Sequence, residues 1–298
     1  MLRDRRPGPP LDPMLRDWLR PEVGEVSLVR ELVGGLSARM LHLRRADGRG
    51  DVVVRRWPGD AEHDPAAVRR EAAGLEALAG TGLPIPRLIA ADPDGTASGR
   101  PCTVTTFLDG APDLAPADLR RWVQHLAAML ARIHAVPSPS LDPLPLWGPD
   151  ETPWLDRGGD PGLARAAHDL AARPTDPDRR VLGHGDYQHF NVLWQGGRIS
   201  AVVDWPNVGL ADRGVDVGHC RLNLAVLHSA EAAMWFLEDY EESAGTAVDP
   251  ACDIQRLLCF GEDWPEFIPL QVAGRAPVDG PGMAGRVRET IERTLARL

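Results

Sequence analysis

Four polar residues lie close together along the chain. His184, Asp186 and Asn191 fall within "HGDYQHFNVLW", and Asp204 ends the run "RISAVVD" shortly after. A carboxylate on a loop, an amide five positions on and a second carboxylate beyond a hairpin are the groups that metal-assisted phosphoryl transfer uses. In that chemistry Asp186 takes the proton of an attacking hydroxyl. Asn191 and Asp204 hold Mg2+ through hard oxygen atoms. Singly, each is an ordinary turn residue. Their common register selects the chemistry.

Such groups need rigid neighbours. Val192-Leu193-Trp194 and "ISAVV" read as buried strands on either side of the hairpin, and "RRVLG" as a strand leading in. Upstream, "EVSLVRELVGG" reads as a strand into a Gly turn. "ARMLHLRRADGRGDVVVRRW" reads as a β-hairpin, and "IPRLIAAD" and "RPCTVTTFLDG" as two further strands. Between them the sequence predicts a helix beginning at Asp64-Pro65, with Asp64 as N-cap, an apolar face of Val68, Ala72, Leu75 and Leu78, and a stop at Gly80 and Gly82. From residue 116 the pattern changes to helical. Leu119, Trp122, Val123, Leu126, Leu130 and Ile133 recur at helical spacing over 116–135. A short helix is expected near 162–172, with others at about 214–228, 230–243, 250–260 and 283–297. The organisation expected is α+β: a loose N-terminal arm (1–22), a small β-rich lobe (23–107), a linker (108–114) and a larger helical lobe (115–298).

"HGD", the Asn five residues after its Asp and the following "VVDW" resemble the aminoglycoside phosphotransferase and choline kinase group, relatives of the protein kinases. The tail "DWPNVGLADRGVDVGHCRLNLA" is similar too. The resemblance runs over roughly residues 24 to 245 and implies a two-lobed protein-kinase-like fold. It implies ATP or GTP between the lobes, with one or two Mg2+, and transfer of the γ-phosphate to a small-molecule hydroxyl. It makes Asp186 the base and Asn191 and Asp204 the metal ligands. His184 supports the loop backbone, and Asp216 starts a helix and braces the loop. In the first lobe it makes Gly34 and Gly35 the phosphate-covering turn, Arg55 the phosphate-binding cation, Glu71 its helix partner, and Thr106 and Phe107 the hinge that holds the adenine. The family usually has Lys where Arg55 stands, and a His two residues after the base where this chain has Gln188, followed by His189 and Phe190. Arg keeps the charge and can pair with Glu71. An aminoglycoside or other antibiotic is the family's default acceptor. A metabolite such as choline, a sugar or an amino alcohol is the competing one. A nucleotide-binding homologue without turnover is the non-enzymatic alternative. A protein kinase fits poorly, because "DWPNVGLADRGVD" runs quickly from Asp204 to a helix, with no long regulatory loop.

Composition narrows the classes further. The formal net charge is −10, and the 33 basic residues are all Arg. With no Lys there is no Walker A loop. An acidic chain without a basic stripe argues against nucleic-acid binding. It suits a cationic acceptor, with Asp150, Glu151, Glu238, Asp239, Glu241, Glu242 and Asp263 as candidate anchors. Trp147, Trp154, Trp235 and Trp264 are candidate pocket walls. The four scattered Cys form no CxxC, which fits reduced thiols in the cytoplasm. No apolar run is long enough for a membrane span, and the charged N-terminus does not read as a signal peptide. A monomer or homodimer is expected.

Overall fold

A computed structural model of the chain describes residues 11–32, 38–60, 63–137, 141–144, 152–157 and 161–298. The chain divides into two compact units, Met1–Asp109 and Gly110–Leu298.

In the first unit, α1 (Pro13–Val23) is followed by β1 (Val26–Leu32), β2 (Arg39–Arg45), β3 (Val52–Arg56), α2 (Asp64–Ala77), β4 (Leu88–Asp92) and β5 (Cys102–Thr106). The strands form one antiparallel sheet in the order β1-β2-β3-β5-β4. Side chains alternate across it. Leu41, Leu43, Val52, Val54, Cys102 and Val104 share one core with Leu15, Leu19 and Val23 of α1. Residues 13–23 are therefore not the loose arm that their charged surroundings suggest. Leu15, Leu19 and Val23 recur four apart on one helix face, Pro13 opens the helix, and the Asp12 carboxylate caps Met14 N at 3.0 Å. Burying three large aliphatic side chains contributes about 5 kcal/mol before ordering costs.

Helix α2 packs beside β4 and β5. It starts one residue away from the expected cap: His63 holds the cap position, and Asp64 is the first helical residue. The Asp64 carboxylate instead accepts the Gly59 and Asp60 amides, each at 2.7 Å. The helix ends at Ala77, with Gly80 beyond it at φ 77°.

The second unit contains α3 (Leu119–His134), α4 (Pro153–Asp156), α5 (Pro161–Ala171), β6 (Arg180–Gly183), β7 (Val192–Gln195), β8 (Arg198–Val202), β9 (Gly209–Asp212), α6 (Gly214–Leu227), α7 (Ala230–Ala244), α8 (Pro250–Leu257), α9 (Trp264–Val272) and α10 (Met283–Leu295). Helix α6 is its axis. Every residue from Gly214 to Val226 is buried, as a helix without a polar face must be. Helices α7, α8 and α10 pack around it, and α3 packs on α7. Two short antiparallel ribbons, β6 with β9 and β7 with β8, stand beside this bundle. Strand β9 escapes a sequence reading because "GLAD" has little β propensity. Helix α9 does too, because "WPEFIPLQV" carries Pro265 and Pro269.

Candidate functional site

In the first unit Arg55 and Thr103 are cross-strand partners on the sheet face opposite the α1 core. Glu71 on α2 meets both. Its carboxylate lies 3.3 Å from Arg55 Nε and accepts Thr103 Oγ1 at 2.8 Å. Both charged side chains are about 95% buried, so each needs the other to offset desolvation. The Arg55 guanidinium also lies 5.4 Å from the Trp57 ring centroid. The Arg55–Glu71 pairing expected from sequence thus exists as a contact.

Thr106 and Phe107 are engaged inside this unit. Thr106 N donates to Arg87 O at 3.0 Å, and Phe107 N donates to Asp51 O at 3.0 Å. Thr106 Oγ1 accepts Arg87 N at 2.9 Å, and the Phe107 ring stacks on His42 at 3.9 Å. The N–H groups of both residues are thus used within this unit. Gly34 and Gly35 lie outside the described residues.

In the second unit β6 ends at Gly183 and delivers His184, Gly185 and Asp186. Gly185 has φ 82°, and a Cβ there would collide with Asn207 O and Asn207 Cβ. Only glycine suits that conformation in that space. Asp216, in the first turn of α6, fastens the loop. Its carboxylate accepts His184 N at 2.6 Å, Gly185 N at 2.8 Å and His134 Nε2 at 3.1 Å. Burial works against its ionisation. The hydrogen bond and charge of His134, followed by those of His184, hold its carboxyl at about 2.

The His184 ring ties two segments together. Nε2 donates to Val203 O at 3.0 Å, and Nδ1 accepts Asp186 N at 3.2 Å. The ring also lies 4.3 Å from Trp205. Both roles are structural, and they fix the Nε2–H tautomer. Val203 N in turn donates to Asn191 O at 2.9 Å. Because Val192 pairs with Val202, Asn191 and Asp204 emerge at the same open end of the β7–β8 ribbon. Asp204 is held at φ 72°. A non-glycine residue in the left-handed region is uncommon, and such positions cluster at functional sites.

Asn191 Nδ2 donates to Asp186 O at 2.9 Å and to Asp186 Oδ2 at 3.0 Å. Its donor end is committed to the loop, which leaves its carbonyl oxygen to act as a ligand. Among the described residues no three His, Cys, Asp or Glu side chains converge on a metal. Asn191 with Asp204 offers hard oxygen donors and too few to enclose a cation. That set suits Mg2+ whose remaining ligands are phosphate oxygens and water.

Two donors at Asp186 lie beyond the sequence reading of the site. His219 Nε2 lies 2.7 Å from Asp186 Oδ1, and Gln188 Nε2 donates to the same oxygen at 2.8 Å. Burial would raise the Asp186 carboxyl, but His219 above all, then His184 and Asn191, bring it below its ordinary value. The side chain keeps 27% of its surface exposed, so solutes can reach it. The signal for His219 was present in the spacing. Asp216 and His219 are three apart on one helix and must share a face. Gln188 thus lies against Asp186, while His189 turns inward. His189 is fully buried among Trp122, Phe190 and His228, and burial pushes its basicity well down.

Several proposed acceptor anchors are otherwise employed. Asp239 pairs with Arg120, which also covers the Trp235 ring, and Glu241 pairs with Arg297. Trp154 and Trp264 both pack on Phe260. Trp147, Asp150 and Glu151 lie outside the described residues.

Residues 29–273 match the phosphotransferase enzyme family. Among solved structures, a ternary complex of aminoglycoside phosphotransferase APH(4)-Ia with AMP-PNP and hygromycin B is similar. Its TM-score is 0.60 and its identity 19%, over 96% of this chain and 100% of that one. Macrolide 2'-phosphotransferase MphH from Brachybacterium faecium matches with TM-score 0.57 and 21% identity, over 93% and 98%. Spectinomycin phosphotransferase APH(9)-Ia, bound to ADP and spectinomycin, matches with TM-score 0.58 and 15% identity, over 97% and 99%. No curated protein matches the chain.

Proposed function

The chain belongs to the phosphotransferase enzyme family and has its protein-kinase-like fold, and from that premise we propose that it transfers the γ-phosphate of ATP to a hydroxyl of a small molecule. The observation that carries this reading is the cradle around Asp186. A partly exposed carboxylate is aimed by three side-chain donors and stands beside Asn191.

Asp186 is the proton acceptor. It remains ionised at neutral pH, so it positions the hydroxyl and takes its proton late, as the bond to phosphorus forms. Asn191, through its carbonyl oxygen, and Asp204 would hold Mg2+. When bound, the metal neutralises charge spreading over the phosphate oxygens. Arg55, held by Glu71, is the protein's own phosphate-binding cation, and its guanidinium replaces the family's usual ammonium. Asp216 and His184 keep the loop in register, and much of the acceleration then comes from positioning and preorganised charge. For adenine, Thr106 and Phe107 form the hinge, with their own N–H groups used within the sheet. GTP is the alternative donor.

The acceptor proposed is a hydroxylated antibiotic, aminoglycoside or otherwise. Asp239 and Glu241 are already paired with Arg120 and Arg297, so these two carboxylates do not call for a cationic acceptor. Metabolite alcohols of the choline, sugar or amino-alcohol type are the competing class. The enzyme would work in the cytoplasm, as a monomer or homodimer. Among the described residues no helix is long and apolar enough to cross a membrane.

The test is transfer from γ-labelled ATP with Mg2+ to a panel holding hygromycin B, spectinomycin, a macrolide, choline and simple amino alcohols. Labelling of one acceptor above an Asp186→Ala control is expected. Asp204→Ala should remove the Mg2+-dependent part of nucleotide affinity by calorimetry. Tight MgATP binding with no labelled acceptor would favour the non-catalytic homologue. Absence of nucleotide binding would refute the proposal.

A further inference from the structure

The two oxygens of the Asp186 carboxylate are not equivalent. Oδ1 accepts Gln188 Nε2 at 2.8 Å and His219 Nε2 at 2.7 Å. Oδ2 accepts one side-chain donor, Asn191 Nδ2 at 3.0 Å. A carboxylate oxygen has two lone pairs in its plane. Oδ1 is therefore filled, and Oδ2 has one pair left. Resting on the transfer reaction proposed above, we propose that His219 is a positioning residue that, with Gln188, pins Oδ1 and so makes Oδ2 the oxygen that receives the acceptor's proton.

The surroundings of His219 fit this role. The residue is buried on α6, one turn beyond Asp216. One face of one helix thus secures the loop twice: Asp216 by its backbone, His219 by its reactive side chain. Behind the imidazole, Arg256 Nη2 lies 3.4 Å from Nδ1. Guanidinium has only donors to offer, so Nδ1 presents its lone pair to Arg256 and Nε2 carries the proton toward Asp186. Asn223 Nδ2, one further turn along the helix, donates to His219 O at 3.0 Å and lies 3.4 Å from Nε2, well beyond the Asp186 carboxylate oxygen that accepts the Nε2–H at 2.7 Å. Arg256 reaches this place because α8 runs very close to α6 at Gly218. A Cβ on Gly218 would sit 2.6 Å from Asp253 O and 2.8 Å from Arg256 Cβ.

The step balances without His219 changing its protons. The acceptor oxygen bonds to the γ-phosphorus as the bond from that phosphorus to the bridging oxygen breaks, and the electron pair leaves with ADP. The hydroxyl proton passes to Oδ2 and then to solvent. Nδ1 faces a cation, so the imidazole has no onward path for a proton. Its contribution is to orient the carboxylate. A free Asp side chain would rotate its remaining lone pair away from the attacking hydroxyl. Holding a reacting group in its productive geometry is worth about 10- to 100-fold in rate at a site of this kind.

Two experiments on the full chain test the assignment. In long-range 1H–15N spectra of histidine-labelled protein, His219 should be protonated at Nε2, with a solvent-protected proton that is lost in Asp186→Ala. An unprotonated Nε2, or a proton indifferent to that substitution, overturns the proposal. In phosphate release from γ-labelled ATP, to the panel acceptor or to water, His219→Ala should lower kcat about 10- to 100-fold. The Kd for MgATP and the KM of the acceptor should stay within about twofold of wild type. His219→Gln, whose amide N–H reaches the same carboxylate oxygen, should recover most of the loss. Wild-type turnover in His219→Ala overturns the proposal, as does a loss of turnover that follows MgATP affinity or melting temperature. If Asp186→Asn also turns over normally, the proposed base fails instead, and the spectra still decide the pairing.

Discussion

Replacing Asp216 by Asn changes one atom and tests the loop's anchor. The carboxylate accepts three donors on two oxygens: His184 N at 2.6 Å and His134 Nε2 at 3.1 Å on one, Gly185 N at 2.8 Å on the other. An amide keeps one oxygen. Whichever way it turns, a backbone N–H faces an NH2 group and loses its acceptor. The site is buried. A hydrogen bond to a charged group is worth about 1.5–3 kcal/mol, and a stranded buried donor costs about 1–3 kcal/mol more. The expected loss is about 3 kcal/mol. For a unit of roughly 190 residues, that lowers Tm by roughly 6–12 °C. The pH dependence carries the same signature. The folded carboxyl lies at about 2 against an ordinary 3.8. A depressed carboxyl stabilises the fold above its unfolded value and loses that contribution as pH falls through its folded value. The wild-type advantage over Asp216→Asn should be full above about pH 4. Its ionic share, about 2 kcal/mol, should vanish as pH drops toward about 2. Calorimetry and urea melts from neutral pH downward measure both. A Tm within 2 °C of wild type, or a difference that does not shrink in acid, would refute the reasoning.

Arg55→Ala removes the cation beside the buried Glu71 carboxylate, which Thr103 Oγ1 still reaches at 2.8 Å, so urea melts should show a loss of about 3 kcal/mol or more. MgATP affinity should fall at least about tenfold by calorimetry, and the double variant with Glu71→Ala should regain stability without regaining affinity. Gly218→Ala places a methyl group 2.6 Å from Asp253 O; α8 must then shift, at a cost of about 1–3 kcal/mol. An unchanged urea midpoint would show that the α6–α8 approach has slack.

Much of this molecule is legible in the order of its residues. Asp186, Asn191 and Asp204 announce themselves because a short loop and a hairpin fix their separation, whatever surrounds them. The alternation of the strands places Arg55 and Thr103 on one face, and the period of α2 brings Glu71 toward them. What the sequence leaves open is every contact made between distant segments. Helix α1 looks like part of a charged arm until Leu15, Leu19 and Val23 meet the sheet. Asp239 and Glu241 look like open anionic anchors until Arg120 and Arg297 arrive. His219 stands 33 residues beyond the base it touches, and only the packing of α6 against the loop joins them. Spacing determines what is local, because a helix or hairpin has fixed geometry. Pairing across the chain depends on which apolar faces bury one another, and that is settled only when each unit folds.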